Sequence, residues 1–325
     1  MVTIKGRQYS TPAILIGNGI NQYYNTAESW NSLLNELAKK YNLSLNLSDN
    51  DKSISTPEAF EQIMIHIFRK RKADISVQQI YKELKCEFCK LLKEDNSLIV
   101  KPLIAKASSI DNPFPILTTN YDLNLLTSQI YYKDSSVKKD KKPACVPGKK
   151  NFPRVYNFFN YYANTEYKAN TYDCRKCFGI WHIHGIKCYK ESLKISSNDY
   201  MSLITYMKKK FLKGNKQIWA PNSNEYSEWE ARNSWLDIFF NNDLIIMGLA
   251  LDVQELDLRW LLIERAKHIK ARKLNITTIY YYTEHDIKNL FIKENRKNPN
   301  CKYLFFKSLG IDLIETSCKD LYEMF

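Results

Sequence analysis

The chain has 325 residues, 44% of them hydrophobic, which is enough to bury a sizeable core as one large domain carrying a helical elaboration and excludes extensive disorder. Its 48 basic residues against 35 acidic ones give a formal charge of +13, which favours anionic partners: phosphates, a cofactor pyrophosphate, nucleic acid or an acidic subunit. Met1 to Ser10 is polar, the apolar runs are strand-sized rather than the roughly 20 residues of a membrane span, and the eight cysteines are unevenly spread; the expectation is a cytoplasmic, membrane-free protein with reduced thiols.

Ala13 to Ile16 is the first of five apolar segments that read as buried strands, and it runs into Gly17-Asn18-Gly19-Ile20-Asn21. Missing side chains there let backbone N–H groups approach a phosphate, although a plain turn uses the same residues. As a dinucleotide fingerprint the loop is incomplete. Gln22 stands where GxGxxG has its third glycine, and no second strand ends in an acidic residue about 20 positions on, which disfavours an ordinary dehydrogenase.

A helical elaboration is expected over about residues 25–110. Trp30, Leu33, Leu34 and Leu37 follow Ser29 at helical spacing. Thr56 reads as an N-cap with Pro57 at the first helical position, ahead of Phe60, Ile63, Met64, Ile67 and Phe68. Val77, Ile80, Tyr81, Leu84, Phe88 and Leu91 make a third amphipathic stripe, and all three are core-packing faces.

The second strand, Pro115 to Thr118, ends in Thr119-Asn120-Tyr121-Asp122, whose amide and carboxylate either line a site or cap the next helix. Periodicity then breaks over an insertion at about 131–178, with a lysine-rich run from Lys138 to Lys150 and an aromatic stretch from Val155 to Tyr162. It reads as a lid or contact surface. Nucleic-acid binding by those lysines and aromatics is an alternative that a solvated surface loop explains better.

The third strand, Ile180 to Ile183, carries His182 and leads to His184 and Gly185. Residues two apart share a strand face, so the histidines could form a metal pair with Cys174, Cys177 or Cys188. Alternatively His184 is a general base and His182 packs against it or orients it. Structural zinc sites usually show two complete ligand pairs and the cysteine partners of these histidines are loose, so the second reading is preferred and no metal is expected. Cys86 and Cys89 lie in a predicted helix and read as structural or incidental.

Leu244 to Met247 is the fourth strand, and it ends in Gly248-Leu249-Ala250-Leu251-Asp252, where Gly248 either admits a ribose or adenine or makes a turn. A long helix over Leu256 to Lys273 and a fifth strand, Ile276 to Tyr282, follow. Strands alternating with helices predict an α/β fold: a Rossmann-like parallel sheet with helices on both faces and a helical or loop insertion subdomain. The strand-end loops would then share one crevice.

In their order, GNGIN (17–21), TTNYD (118–122), HIHG (182–185) and GLALD (248–252) resemble the sirtuin family, and specifically its bacterial NAD-cleaving defence branch. The Ser29-Trp30 helix and DLRWLLIERA (257–266) are similar to that branch too, and the matched pieces span about residues 13–266 of a single sirtuin-like domain, 1–325. The resemblance implies that Gly17, Asn18, Gly19 and Asn21 lie against the pyrophosphate and ribose of NAD, with Thr118, Gly248, Leu249 and Asp252 completing the dinucleotide-binding set. It makes Asn120, Asp122 and His184 the catalytic group. Deacylases of the family place two Cys-x-x-Cys pairs after the catalytic histidine, whereas both pairs here precede His184, so neither deacylation nor structural zinc is expected.

The function so implied is hydrolysis of NAD, as substrate, to nicotinamide and ADP-ribose by a toxic effector of anti-phage defence that depletes cellular NAD. About 60 residues follow the last motif, read as the final strand and a helix, so control is expected from homo-oligomerisation or a separately encoded activator. A helicase-like ATPase, an Argonaute-like protein or a nucleotide-sensing subunit would fit. The rival readings are an NAD- or ADP-ribose-binding regulatory module and a non-catalytic nucleic-acid-binding subunit.

Overall fold

The computed structural model describes residues 2–23, 29–48, 53–70, 75–92, 101–109, 111–122, 124–125, 161–162, 173–176, 178–187, 189–211, 220–232, 234–253, 255–291 and 298–323. Most of the insertion expected at 131–178, including Lys138 to Lys150, lies outside them, as do Cys177 and Cys188.

A short hairpin, β1 (Val2–Ile4) and β2 (Arg7–Tyr9), precedes the main sheet. The main sheet contains β3 (Pro12–Ile16), β4 (Pro115–Thr118), β5 (Tyr161–Tyr162), β6 (Gly179–His182), β7 (Asp243–Met247), β8 (Thr278–Tyr282) and β9 (Asp312–Glu315). Its order is β5-β6-β4-β3-β7-β8-β9. All neighbours pair in parallel except β5, which lies antiparallel on the β6 edge. The chain walks outward from β3 through β4 to β6, then returns to β7 on the other side of β3. This is a Rossmann-like α/β sheet whose topological switch point falls between β3 and β7, where ligands bind at the carboxyl ends of strands.

The central strands are buried on both faces, as parallel strands covered by helices are. On one face Ala13, Leu15, Leu117, Trp181, Leu244, Ile246 and Tyr280 pack against Trp235, Phe239, Leu258 and Leu262. Those four side chains come from α7 (Trp235–Asn241) and α8 (Leu256–Arg272). On the other face Ile14, Ile16, Ile116, Ile180, Ile245 and Ile279 meet Leu103 and Ile104 of α5 (Lys101–Ala107) and Leu321 of the C-terminal helix α11 (Cys318–Glu323). Residues 101–107 thus belong to the helix layer over the sheet, although the sequence placed them in the helical elaboration.

That elaboration is a unit of its own: α2 (Trp30–Lys39), α3 (Thr56–Lys70) and α4 (Val77–Leu91) enclose Leu34, Leu37, Phe60, Ile63, Leu84 and Phe88. Ser29 caps α2 through Ser32 N at 3.2 Å. For α3 the cap is Ser55 and not Thr56. Ser55 Oγ accepts from Glu58 N, and the Glu58 carboxylate accepts from Ser55 N at 2.7 Å, a capping box that holds the Glu58 carboxyl below its usual range.

The unit is pinned to the segment that follows β6 by the buried Lys85, which donates to the Leu193 carbonyl at 2.6 Å and pairs with Asp199 at 3.2 Å. Asp199 belongs to α6 (Ser197–Phe211). The remaining helices, α1 (Gly19–Tyr23), α9 (Ile287–Leu290) and α10 (Cys301–Ser308), are short. Among the described residues no helix is long and apolar enough to cross a membrane.

Candidate functional site

Gly17 and Gly248 leave neighbouring strands at the switch point, and their loops lock together. Gly17 N donates to the Met247 carbonyl at 3.1 Å and Gly19 N to the Gly248 carbonyl at 2.9 Å. A Cβ at Gly17 would stand 2.4 Å from Leu249 Cδ2 and 2.5 Å from the Gly248 oxygen. A Cβ at Gly19 would stand 2.8 Å from the Gly248 Cα and 2.9 Å from the Tyr322 hydroxyl. Gly248 itself sits at φ +62°, a left-handed conformation that favours glycine. The glycines are therefore required by loop-on-loop packing, in addition to any phosphate they admit. The Leu249 carbonyl accepts from the Tyr280 hydroxyl at 2.8 Å, which fixes this side of the crevice.

The loop after β4 is drawn onto the same crest. Thr118 Oγ1, fully buried, accepts from Asn120 N at 3.1 Å, and Asn120 Nδ2 donates to the Gly17 carbonyl at 3.2 Å. Asn120 Oδ1 is buried and accepts no hydrogen bond from the described residues, which makes it an acceptor suited to a ligand hydroxyl or amide. Asp122 is engaged within the protein: Oδ2 accepts from Asn21 Nδ2 at 2.7 Å and Oδ1 from Asn124 N at 3.0 Å. Asn21 Nδ2 also reaches Asn18 Oδ1 at 3.1 Å. Asn18, Asn21, Asp122 and Asn124 together staple the β3 loop to the β4 loop.

The two histidines have different tasks. His182 ends β6, is fully buried, and donates from Nδ1 to the Asn120 carbonyl at 2.7 Å, so it orients the asparagine loop and not His184. Burial pushes its imidazole down to about 4, which keeps the ring neutral. His184 lies beyond the strand end, next to Gly185 at φ +97°, and its Nε2 meets Asp257 Oδ2 at 2.8 Å. Both side chains are buried. The Tyr200 ring stands edge-on to the imidazole at 5.3 Å. Asp257 sits in the first turn of α8, where free N–H groups favour a carboxylate, and its Oδ1 is a second buried acceptor with no donor among the described residues.

No protein-family model matches the chain, and no curated protein sequence matches it.

Asp257, Glu255 and Tyr200 were not singled out as site residues from the sequence. Only the acidic first turn of DLRWLLIERA hinted at Asp257, because contact with His184 depends on how α8 docks. Glu255 is partly buried at the start of that helix and accepts from Asp252 N at 3.1 Å. Burial first, then repulsion from Asp257, pushes its carboxyl up to about 7. Asp252 turns to the rim, where Oδ1 pairs with Lys302 at 2.9 Å.

Cys86, Cys89, Cys301 and Cys318 are free thiols, and Cys174 Sγ donates to the Ser234 carbonyl at 3.6 Å. Among the described residues the group with metal-ligand composition is Glu284, His285 and Cys318, after β8, and it includes neither His182 nor His184.

Proposed function

We propose that this protein is an NAD glycohydrolase that cleaves the nicotinamide-ribose bond at the carboxyl ends of β3, β4, β6 and β7. The observation that supports it is a single chain of contacts across that crest. Asn120 is tied to Gly17 by its amide at 3.2 Å and to His182 by its carbonyl at 2.7 Å, with His184 two residues further along. A glycine loop, an oriented amide and a buried imidazole thus converge where a Rossmann-like sheet receives a dinucleotide.

Nicotinamide leaves a cationic ring as a neutral pyridine, so its departure needs no general acid. Asn120 offers Oδ1 to a ribose hydroxyl or to the attacking water, and His184 takes a proton from that nucleophile. Gly17, Asn18, Gly19, Asn21 and Thr118 form the pyrophosphate side, and Gly248, Leu249 and Asp252 the adenosine side.

The order of motifs that resembles the bacterial defence branch of the sirtuin family supports a role as an anti-phage effector acting on the cytoplasmic NAD pool. Control then comes from self-association or a separately encoded activator. Purified protein incubated with NAD, alone and with its genomic neighbours, and analysed by chromatography, should yield nicotinamide with linear or cyclic ADP-ribose. Binding of NAD without turnover in every mixture would replace this reading by that of a regulatory binding module.

A further inference from the structure

We propose that Asp257 is the positioning residue for His184, holding the neutral ring with its proton on Nε2 so that Nδ1 is the proton-accepting atom. The role in proton transfer rests on the NAD-cleavage reading; the pairing itself does not.

Asp257 Oδ2 lies 2.8 Å from His184 Nε2, with the carboxylate side chain 2% and the imidazole side chain 6% exposed. A carboxylate only accepts, so the shared proton belongs to Nε2, and a neutral imidazole then keeps its lone pair on Nδ1. A hydrogen bond to the second ring nitrogen is what selects a tautomer and fixes ring orientation in acid–base catalysis. The ring plane is held independently by the Tyr200 edge at 5.3 Å and 88°. The backbone on either side is also fixed, because Lys194 N donates to the His184 carbonyl at 2.8 Å and a Cβ at Gly185 would lie 2.3 Å from the Ser192 carbonyl oxygen. Rotation of the ring to exchange its nitrogens would break the Asp257 bond inside a buried site.

Asp257 Oδ1 remains as an acceptor with no donor among the described residues. It suits a ribose hydroxyl or the nucleophile. In the cleavage step a water oxygen forms the new bond to the ribose anomeric carbon and the electron pair of the carbon–nitrogen bond returns to the nicotinamide ring. The water proton passes to Nδ1 of His184 and then to solvent.

The test uses full-length protein labelled with ¹⁵N-histidine, together with Asp257→Ala and Asp257→Glu. Wild-type His184 should show a protonated Nε2 and an unprotonated Nδ1, and Asp257→Ala should show mixed tautomers. With NAD as probe, Asp257→Ala should lose about 10²- to 10⁴-fold in kcat with KM changed little, and Asp257→Glu should recover part of the loss. Asp257→Ala retaining kcat while His184→Ala is inactive would overturn the proposal and leave the cleavage reading standing. A wild-type protein inert towards NAD both alone and with its genomic neighbours would overturn the cleavage reading instead. The tautomer then decides alone: a His184 ring protonated on Nδ1 rules the pairing role out, and one protonated on Nε2 upholds it.

Discussion

His182 donates from Nδ1 to the carbonyl oxygen of Asn120 at 2.7 Å, so a buried neutral imidazole on β6 fixes the loop that leaves β4. The next bond in line, from Asn120 Nδ2 to the Gly17 carbonyl, fixes that loop to β3. Orientation of the asparagine is therefore inherited from two neighbouring strands.

Asn120→Ala should lower NAD turnover at least about 10²-fold, the scale for loss of an orienting group, while reducing stability by only about 1 kcal/mol for the lost hydrogen bond. Chromatography of the products and urea denaturation of the same sample separate the two effects. His184→Ala should be equally inactive and still folded, with a lower urea midpoint because the buried Asp257 loses its partner. Full turnover by either variant would exclude this site.

Gly17→Ala places a methyl group 2.5 Å from the Gly248 carbonyl oxygen, a backbone atom that cannot swing away. The expected loss is about 1–3 kcal/mol with weakened NAD binding. Gly310 is the control, because its φ of +72° is strained for alanine but nothing lies within 4 Å of an added Cβ. Gly310→Ala should cost about 1–2 kcal/mol from backbone conformation and leave binding untouched. Equal effects on binding would show that the Gly17 loop is not part of the site.

Acid should destabilise the protein through its buried histidines. His182 titrates near 6.5 when unfolded and at about 4 when folded, and His268 falls to about 3 in the folded chain through burial and two nearby arginines. Between those values the unfolded chain binds more protons, so the histidine contribution to stability is complete above about pH 6.5 and falls as pH drops towards 4. His182 alone accounts for up to about 3 kcal/mol. Glu255 acts in the opposite direction: its carboxyl is raised from 4.5 to about 7, so the folded chain holds the extra proton and stability declines as pH rises through that window. Urea midpoints from pH 4.5 to 8 should show the acid loss in wild type, and Glu255→Gln should raise the midpoint at pH 8.

Lys85 and Asp199 join the three-helix unit to α6, and burial pulls the Lys85 ammonium below its usual range while the Asp199 carboxylate opposes that shift. Lys85→Met removes one partner of a buried pair and should cost about 3 kcal/mol. Amide hydrogen exchange should show faster opening of residues 30–39, 56–70 and 77–91 with β3 and β7 less affected. Uniform loss of protection would mean that the helical unit is no separate element of stability.

The sequence by itself settled the strands of the sheet centre, because Ala13 to Ile16, Pro115 to Thr118 and Leu244 to Met247 are short apolar runs bounded by turn residues. It also settled the helical stripes, since a buried helix face must repeat at helical spacing. It did not reveal β9, whose residues Asp312–Glu315 are polar and exposed at both ends and only partly buried between them, nor the β1–β2 hairpin.

At the site, residue types at strand ends were legible as a set: Gly17, Asn120, His184 and Gly248 fall on one crest once the sheet is parallel. Their individual tasks were not. Only tertiary structure turned Asp122 into a staple for Asn21, aimed His182 at the Asn120 carbonyl, and brought Asp257 from 73 positions away to His184. Local pattern reports which face is buried and where a strand stops, but the partner of a buried polar atom is fixed by how separate elements dock, and no spacing in the chain encodes that distance.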